Sequence, residues 1–514
     1  MSSFSNPADI LLVAVNARFR HTAFGMLCLQ ANLREFQDRS ELVEFTIKER
    51  PQEMLEAIVR RKPRIVGIGV YIWNVDVVTD LVAMLRAVLP DVVLVLGGPE
   101  VSYEWEGQRL EPLADHVIQG EGEQAFYGLC KDILEGGETP LPVIAGNTPP
   151  MAELVMPYAL YRDEDIVNRV IYVEASRGCP YRCAFCLSSL DKRVRDVDLD
   201  VFFAELNTLW ERGAREFKFI DRTFNLSIDF ALRILDFFFE KDTAEMSLHF
   251  EMVPERLPEV LLNSLSRFPP GCIQLEVGVQ TLSADVAKTI RRPMKIEKVC
   301  TNVAALHEHT SVHMHVDLIV GLPGEDMESF GAGLDRLYAL GPHEIQVGIL
   351  KRLKGTPIIA ETETHQMVYS PVTPFEVMST STMPFEELVE MKRFARFWDL
   401  VINNGQLPSL SVCLWRDQES VFASFRAFSL WLYANAQQSS HISLMRLSSF
   451  LCDFLIEERG FTEEEVGPLV VADLERTAGR RIPKRFQVYE KARHEKPRAV
   501  QNRRSGQARQ MRHH

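Results

Sequence analysis

The chain has 514 residues, of which 46% are hydrophobic and 25% charged, a composition typical of a soluble globular protein of about three domains. Its net charge of −14 disfavours a protein built for non-specific binding to nucleic acid. The first apolar run has no basic segment before it, and no uncharged apolar stretch is long enough to span a bilayer. The sequence therefore predicts a cytoplasmic protein without a membrane span.

Residues 1–140 alternate apolar runs with helical patterns, which predicts a doubly wound, flavodoxin-like α/β domain. Five strands are predicted: Ile10–Val15, Val43–Ile47, Ile65–Val70, Val92–Leu96 and His116–Gln119. Four helices are predicted near 24–36, 52–61, 75–88 and 122–134. Ligands of such sheets bind beyond the carboxyl ends of the strands. The candidate ligand-binding residues at these ends are Asn16, His21, Trp73, Asn74, Gly97, Gly98, Gly120 and Glu121. Ordinary βα turns are the alternative interpretation.

Residues 141–165 are rich in Pro and Gly and are predicted to form a linker to a second α/β domain at 166–358. Its six predicted strands are Val170–Glu174, Glu216–Ile220, Leu248–Val253, Ile273–Gly278, His313–Val320 and Ile345–Leu350. Six strand–helix units predict a partial parallel barrel, a fold that places its chemistry at the carboxyl ends of the strands. The two-residue period puts polar side chains on one face of the later strands, which predicts a polar interior suited to a substrate.

Three cysteines follow the first barrel strand in the pattern C-x3-C-x2-C: Cys179, Cys183 and Cys186. Three thiolates on one loop can hold a metal centre and leave one metal position open for a ligand, which is typical of catalytic sites. A zinc site with a remote fourth ligand, or three buried thiols, is the alternative. The other six cysteines are scattered singly, which indicates reduced thiols rather than a disulfide framework.

The histidines of the stretch HEHTSVHMH, between His307 and His315, form a second concentration of metal-ligand residue types. We interpret them as hydrogen-bonded or solvated side chains in preference to a second metal site. His307 and His309 precede the strand and are predicted to lie at its opposite end.

Residues 359–482 are predicted to form a helical domain, because the strand–helix alternation stops there. The first helix, in PFEELVEMKRFARFWDLVINNG, is predicted to end at Asn404-Gly405. Its predicted apolar stripe comprises Leu388, Met391, Ala395, Trp398 and Ile402. Further helices are predicted near 416–436, 441–458 and 463–478. Residues 483–514 are predicted to be a basic, disordered tail.

The cysteine triplet resembles the signature of the radical S-adenosylmethionine (SAM) enzymes. The stretches GGPEVSY and VIQGEGEQAF resemble the cobalamin-binding domain that precedes many of them. Together with YIWNVDVV, SRGCPYRC and LIVGLPGED, they make nearly the whole chain similar to cobalamin-binding radical SAM proteins that end in a helical domain of unknown function. The resemblance implies that the three cysteines hold a four-iron–four-sulfur (4Fe-4S) cluster, and that SAM chelates its open iron and is cleaved to a 5′-deoxyadenosyl radical.

The resemblance also implies contacts for SAM. Phe185 would pack near the adenine, and Asp221-Arg222-Thr223 occupies the place of the segment that holds the SAM amino group, although the usual Gly-Gly-Glu is absent. Glu276 and Gln280 match positions that meet the ribose and carboxylate region. The remaining candidate cofactor contacts are Glu251, Ile319 and Gly321.

The chain departs from many cobalamin proteins in the lower ligand of cobalt. The Asp-x-His-x-x-Gly motif, whose His binds cobalt, is missing, since His21 has Phe19 and Phe24 where the motif has Asp and Gly. We therefore expect cobalamin to bind without a histidine on cobalt. His21 is either a loop residue or a corrin contact.

The predicted function is methylation of an unactivated carbon in an unknown small-molecule or peptide substrate. A reductant such as flavodoxin or ferredoxin is expected as a partner, and nucleic acid is not. One alternative is a radical oxidation, cyclisation or rearrangement without methyl transfer. Another is a non-catalytic cobalamin or redox sensor, against which the polar barrel interior argues.

Overall fold

The computed structural model describes residues 8–137, 141–241, 243, 245–476 and 480–490. They fall into two compact units. The first unit comprises residues up to 222 with 351–359 and 370–376, and the second comprises 223–350, 360–369 and residues from 377 on. The division after residue 222 lies inside the predicted barrel domain, and the predicted domain limits stay predictions.

The first unit contains a parallel six-stranded sheet. Its strands are β1 (Ile10–Asn16), β2 (Ser40–Thr46), β3 (Ile65–Gly69), β4 (Val93–Gly97), β5 (His116–Gln119) and β6 (Val143–Ala145). They lie in the order β2-β1-β3-β4-β5-β6. The helices are α1 (Phe24–Ala31), α2 (Pro51–Val59), α3 (Val75–Val88), α4 (Pro99–Ser102) and α5 (Glu123–Glu135). Two apolar clusters surround β1 and β3, which explains their continuously apolar sequences.

The five predicted strands of this sheet are confirmed, and two local predictions are wrong. Residues 141–165 were predicted to be a linker but contain β6, a three-residue edge strand whose neighbouring prolines concealed it. The helix predicted at 24–36 ends at Ala31, and a 3-10 turn follows at Arg34–Arg39. Arg34 has a φ of 50°, which an α-helix cannot accommodate.

The rest of the first unit contains the loop with Cys179, Cys183 and Cys186, which we call the cysteine loop. Its elements are α6 (Asp163–Asn168), β7 (Ile171–Val173), β8 (Ser176–Arg177), β9 (Arg195–Asp196), α7 (Leu199–Glu211) and β10 (Glu216–Phe219). Strands β7 and β10 pair in parallel, as predicted for the first two barrel strands. Strands β8 and β9 form a short antiparallel pair that the sequence analysis did not predict, and the cysteine loop connects them.

The second unit contains the four later barrel strands. They are β11 (Ser247–Met252), β12 (Ile273–Gln280), β13 (His313–Val320) and β14 (Glu344–Ile349). They pair in parallel in the order β11-β12-β13-β14, which confirms the predicted strands and their direction. The accompanying helices are α8 (Ile228–Phe239), α9 (Glu259–Leu265), α10 (Ala284–Thr289), α11 (Ile296–His309) and α12 (Met327–Tyr338).

A short hairpin precedes the C-terminal helices, so the region predicted as helical from residue 359 begins differently. The hairpin pairs β15 (Val368–Tyr369) with β16 (Val377–Ser379). The helices are α13 (Phe385–Trp398), α14 (Pro408–Ser411), α15 (Val421–Ala436), α16 (Leu444–Arg459) and α17 (Glu463–Glu475). Helix α15, rich in aromatic residues, buries Phe425 and Phe428 completely, as expected for a core helix.

Helix α13 continues into a π-helical turn at Asp399–Asn403. Its predicted apolar stripe is wrong at two positions. Phe394 and Val401 are buried where Ala395 and Ile402 were predicted, and both predicted residues are only half-buried. Both wrong positions were predicted at a spacing of four residues, from Met391 and from Trp398, whereas the buried residues follow at a spacing of three.

The predicted disordered tail is wrong at its beginning. Residues Lys484–Tyr489 form a 3-10 turn in which Phe486 is fully buried. Residues 491–514 lie outside the described residues. Within the part of the chain that the structure describes, no helix is both long and apolar enough to cross a membrane.

Candidate functional site

The cysteine loop folds tightly back on the segment that follows it. Gly178 has a φ of +99°, and a Cβ atom added there would lie 2.0 Å from the carbonyl oxygen of Arg193. The amide of Cys179 donates a hydrogen bond to the Asp191 carbonyl oxygen at 3.0 Å. Residue 178 must therefore be glycine for the loop to take this shape.

None of the three cysteines of this loop is in a disulfide bond, so their thiols are the kind of donor that an iron–sulfur cluster uses. Cys179 and Cys183 are buried, with 9% and 6% exposure, whereas Cys186 is half-buried. No three His, Cys, Asp or Glu side chains among the described residues are placed to hold one metal ion. A cluster binds each cysteine to a separate iron, so it does not need such a group. Phe185, the predicted adenine contact, is half-buried beside Cys186.

Arg177 joins the cysteine loop to the loop after β5. Its Nε and Nη2 donate to both carboxylate oxygens of Glu174, at 3.0 and 2.8 Å. Its Nη1 donates to Glu121 at 3.0 Å and to Glu123 at 2.8 Å. Burial alone would lower the pKa of Arg177, but the carboxylates, Glu174 first, raise it. The guanidinium therefore stays charged and ties the two loops together.

Glu121, a predicted cobalamin contact, is shared by two guanidinium groups. Arg177 donates to its Oε2 atom, and Arg195 of β9 donates to its Oε1 atom. Arg195 also donates to the carbonyl oxygen of Pro149. Both carboxylate oxygens are thus engaged by protein groups, and the cobalamin contact of Glu121 stays a prediction.

Asp221, a predicted SAM contact, is buried next to β8. It accepts hydrogen bonds from the Ala175 amide at 3.0 Å and from the Ser176 hydroxyl at 2.6 Å. Burial raises the pKa of Asp221 to about 7, against the lowering effect of the Ser176 hydrogen bond. Through these two bonds the Asp221 carboxyl holds β8, the strand that precedes the cysteine loop, in place. The neighbouring Arg222 is exposed and Thr223 is buried.

An exposed aromatic surface lies beyond β3. Trp73 is 46% exposed and stacks on Tyr71 with ring centroids 4.4 Å apart, while its Nε1 donates to the Val15 carbonyl oxygen at 3.3 Å. Asn74 is only 1% exposed. Its amide group donates to the Val15 and Gly69 carbonyl oxygens, and its Oδ1 accepts from the Tyr71 amide. Trp73 thus offers a flat surface to a ligand, whereas the Asn74 side chain holds the turn.

Two of the predicted glycines at the strand ends have positive φ angles. Gly98 has a φ of +105°, and its added Cβ would lie 2.6 Å from the Val70 carbonyl oxygen. Gly120 has a φ of +90°, and its amide donates to the Ser102 hydroxyl at 3.2 Å. Gly97 has an ordinary φ, and its added Cβ would meet no atom nearer than 3.8 Å. The packing of β3 against the β4–α4 turn thus requires Gly98 even without a ligand.

His21 and Asn16 are both held by protein groups. The His21 Nδ1 atom lies 2.7 Å from the Tyr172 hydroxyl, and burial followed by the charge of Lys218 lowers the pKa of His21. Asn16 donates to Glu44 at 2.8 Å, and the buried Arg169 binds the same carboxylate. A His21 ring held by Tyr172 suits the expectation of cobalamin without a histidine on cobalt, which stays a prediction.

The sheet of the second unit has one apolar and one polar face. The buried residues of β12 alternate strictly with half-buried ones. Strand register places the following residues on the polar face: His249, Glu251, Gln274, Glu276, Gly278, His313, His315, Asp317, Ile319, Glu344, Gln346 and Gly348. This confirms the predicted polar face of the later barrel strands.

The histidines of this face lie beside carboxylates. His249 Nε2 is 2.9 Å from Glu276, and His313 Nε2 is 3.0 Å from Glu344. The His315 Nε2 atom is 3.8 Å from Asp317. His313 is fully buried, and its bond to Glu344 agrees with the interpretation of hydrogen-bonded histidines. His307 and His309 end α11 before β13 begins, as predicted.

The remaining predicted SAM contacts lie along this face or at its end. Glu251, Glu276 and Ile319 are half-buried. Gln280 ends β12 with a φ of 73°, and Arg292 donates to the Gly278 carbonyl oxygen at 2.6 Å. A Cβ on Gly321, whose φ is +83°, would lie 2.5 Å from Val377, so close packing requires this glycine. The structure assigns no ligand to these residues, and their contacts stay predictions.

Glu100 and Glu325 are two of the buried acids that the sequence analysis did not identify. Glu100 follows Gly98 and is 3.3 Å from Lys354 Nζ, and burial raises its pKa. Glu325 accepts a hydrogen bond from the Thr281 hydroxyl at 2.5 Å, and burial raises its pKa to about 7. A single carboxylate without a neighbouring cation in the sequence gives no signal of burial. The stretches GGPEVSY and LIVGLPGED, which contain these residues, nevertheless carried much of the family resemblance.

Three family models match successive parts of the chain. Residues 10–130 match the B12 binding domain, residues 173–337 the radical SAM superfamily, and residues 363–511 a protein family of unknown function, DUF4080. A radical SAM domain implies a 4Fe-4S cluster and SAM, and a B12-binding domain implies cobalamin. Each of the three domains predicted from the sequence thus overlaps one of these family models.

Individual proteins with similar sequences include methyltransferases. The chain is 25% identical over 308 residues to an uncharacterized methyltransferase of Pyrococcus horikoshii, covering 54% of this chain and 65% of that protein. It is 24% identical to the cobalamin-dependent radical SAM methyltransferase TokK of Streptomyces tokunonensis, covering 71% of this chain and 60% of TokK. The chain thus spans less than two thirds of the length of these relatives.

A solved structure with a similar fold is the radical SAM methyltransferase TsrM of Kitasatospora setae, with cobalamin and a [4Fe-4S] cluster bound. The TM-score is 0.59 at 19% identity, over 71% of this chain and 81% of TsrM. At this identity the likeness shows the fold.

Proposed function

We propose that the chain is a cobalamin-dependent radical SAM methyltransferase, because its successive parts match the models of the B12 binding domain, the radical SAM superfamily and DUF4080. Its substrate is a small molecule or peptide that is methylated at an unactivated carbon. The methyltransferases among its relatives support this proposal.

The main support for the proposal is the set of hydrogen bonds that Arg177 makes within the first unit, which we call the Arg177 network. One guanidinium binds Glu174 before the cysteine loop, and Glu121 and Glu123 at the end of β5 and the start of α5. The predicted cluster ligands and the predicted cobalamin-binding edge are thereby fixed to each other by short, charge-assisted bonds. Reactions that use two cofactors depend on such fixed placement, since small displacements reduce rates strongly.

Each group of residues has a part in this proposal. When bound, the cluster supplies the electron that cleaves SAM, and cobalamin supplies the methyl group. Cys179, Cys183 and Cys186 hold the cluster, and Trp73 with the glycine-containing strand ends of the B12-binding domain holds cobalamin. Arg177 and Asp221 position the cysteine loop, and the polar face of β11–β14 orients the substrate.

The proposal is tested by the products of anaerobic turnover with a reductant and the small-molecule fraction of a cell extract. Methyl transfer consumes two SAM molecules per product, so 5′-deoxyadenosine and S-adenosylhomocysteine should both accumulate with a methylated product. Substrate-dependent 5′-deoxyadenosine without S-adenosylhomocysteine would contradict methyl transfer and favour oxidation, cyclisation or rearrangement. Neither product with any fraction would favour the sensor.

We also propose that flavodoxin or ferredoxin delivers the electron and that the protein works in the cytoplasm. The nine cysteines, all within the described residues, form no disulfide bond, which suits a reducing compartment. Reduction of the cluster by purified flavodoxin, followed by its absorbance, tests the first proposal.

A further inference from the structure

The cysteine loop carries exposed positive charges, although the protein as a whole is acidic. The chain has a net charge of −14, whereas residues 178–196 contain four cationic side chains and two carboxylates. Arg182 lies between the first two cysteines, and Lys192 and Arg193 lie between the third cysteine and β9. All three side chains are exposed, and we call them the basic patch.

The basic patch lies beside the predicted cluster ligands in the folded chain as well as in the sequence. The Cys179 amide donates to the Asp191 carbonyl oxygen at 3.0 Å, which places Lys192 near the first cysteine. The Arg193 carbonyl oxygen would lie 2.0 Å from a Cβ atom on Gly178, so Arg193 packs beside the same end of the triplet. The patch therefore borders the predicted cluster site.

The charges of the basic patch are available to a partner. Within the described part of the chain, none of its three side chains forms an ion pair or a hydrogen bond. Arg177 and Arg195 on the adjoining strands differ, because both are mostly buried and bind carboxylates. Asp191, the nearest carboxylate, is engaged by Arg195 at 3.4 Å and by the Arg193 amide at 3.2 Å. Exposed charges of one sign attract macromolecules of the opposite sign.

The position of the basic patch indicates which acidic partner it binds. An electron has to reach the cluster before SAM is cleaved, and electron transfer slows steeply with distance, so the electron donor must dock beside the cluster. Cys186 is the least buried of the three cysteines, which leaves one predicted cluster ligand near the surface. Redox proteins form small, brief complexes, for which a few charged side chains are sufficient. Nucleic acid fits less well, because three cations on a chain of net charge −14 neutralise few phosphates.

We propose that the basic patch docks flavodoxin, an acidic electron carrier whose flavin lies at the carboxyl edge of its sheet. Arg182, Lys192 and Arg193 bind carboxylates on the surface around the flavin. One electron then passes from the reduced flavin to the cluster, so the flavin is oxidised by one electron and the cluster is reduced by one. This inference rests on the proposed electron donor and is independent of methyl transfer.

The test is calorimetric titration of the reconstituted full chain with oxidised flavodoxin, without SAM or substrate, at about 0.15 M salt. The double variant Lys192→Glu, Arg193→Glu should weaken binding at least about tenfold, because attraction becomes repulsion. The matched control is Lys62→Glu, Arg64→Glu, which changes the net charge equally at two exposed cations before β3, at its amino end. The control should change the dissociation constant less than about twofold, since its charges are screened from the patch.

Three results of this titration would overturn the proposal: equal dissociation constants for the wild type and the double variant, equal losses in the double variant and the control, or no saturable binding by the wild type. A further such result is a single-stranded RNA of about 20 nucleotides that binds the wild type more tightly than flavodoxin does and is lost in the double variant. That result would assign the patch to nucleic acid.

The rate of cluster reduction provides a second measurement. Reduced flavodoxin should reduce the cluster of the double variant at least about tenfold more slowly than that of the wild type. Dithionite needs no docking and should reduce both clusters to the same extent, which shows that the cluster is intact. Equal rates with flavodoxin would overturn the proposal.

A single variant covers the case in which the double variant does not retain its iron. Arg182→Gln removes one charge of the basic patch and leaves Lys192 and Arg193 in place, so it should weaken flavodoxin binding about threefold. In that case, unchanged binding by an Arg182→Gln protein with full iron content would overturn the proposal.

Discussion

The two compact units use their charged side chains in opposite ways. In the first unit, Arg169, Arg177 and Arg195 bind carboxylates at the strand ends, so these charges hold protein segments in place. In the second unit, carboxylates and histidines line one face of a sheet and half-buried polar groups surround a cavity. Under the proposed function, the first unit would position the cofactors through this frame, and the second unit would provide polar groups for a substrate.

The largest effect is expected from the cysteines. Replacing Cys179, Cys183 and Cys186 together by Ala should reduce the iron of the anaerobically reconstituted protein from about four atoms per chain to nearly none, because it removes the three proposed cluster ligands. Cobalamin binding should persist, since it depends on the other end of the Arg177 network. Iron and cobalt analysis measures both.

The control for this change is Cys300→Ala, which removes a buried thiol from α11 and should leave the iron content unchanged. A triple variant that still holds about four irons would refute the assignment of the cluster to this loop.

A large effect is also expected at Gly178. Gly178→Ala combines a positive φ with a Cβ placed 2.0 Å from the Arg193 carbonyl oxygen, so the loop must move. The matched control Gly213→Ala has nearly the same φ, +98°, but its added Cβ meets no heavy atom within 4 Å. The control should cost about 1–2 kcal/mol of stability and keep the iron, because only backbone strain is added. Gly178→Ala should lose most of the iron.

Iron content and thermal unfolding of both glycine variants provide the measurement. Equal iron content in the two proteins would show that the close approach to Arg193 does not shape the cluster site.

A smaller effect is expected at Arg177. Arg177→Gln leaves Glu174, Glu121 and Glu123 without their shared guanidinium, which should destabilise the first unit by about 3–5 kcal/mol at pH 8. Lowering the pH should recover part of this loss, because protonated carboxyls no longer repel each other. Urea unfolding at pH 5 and pH 8 measures the loss. A variant as stable as the wild type at pH 8 would show that the network is not a rigid frame.

The smallest effect concerns Asp221, whose pKa burial raises to about 7 from its ordinary value of 3.8. Because the folded protein holds this proton more tightly than the unfolded chain does, the group lowers stability as pH rises between about 4 and 7, by up to about 4 kcal/mol. Asp221→Asn removes the titrating group and should flatten this part of the stability profile. Urea unfolding of both proteins between pH 4 and pH 8 measures the stability profile. A profile that is the same in Asp221→Asn and in the wild type would contradict the raised pKa of Asp221.

The strands could be predicted because their signal is local. β13 and β5 occupy the residues predicted for them, since each is an apolar or alternating run bounded by breaks in pattern. The three-residue β6 and the two-residue strands β8 and β9 were missed, because so few residues carry no periodicity. The π turn was missed for a related reason, since its sequence reads as an ordinary helix end.

The residues of the candidate site could be predicted only where they lie close together in the sequence. The cysteine triplet lies within eight residues, so its chemistry is visible in the sequence. The Arg177 network joins residues that are 54 and 56 positions apart, and no local pattern indicates such pairs. Asp221 and Asn74 were predicted to contact cofactors from their motif positions, but their hydrogen bonds to the backbone appear only when the chain is folded.

The central claim is that one chain carries an iron–sulfur cluster on the cysteine loop and cobalamin on the adjoining strand ends. The most direct measurement is the iron, cobalt and zinc content of the full chain, purified without oxygen and reconstituted with iron, sulfide and cobalamin. The account predicts about four iron atoms and about one cobalt atom per chain, with negligible zinc. A chain that holds about one zinc atom, with neither iron nor cobalt, would contradict it.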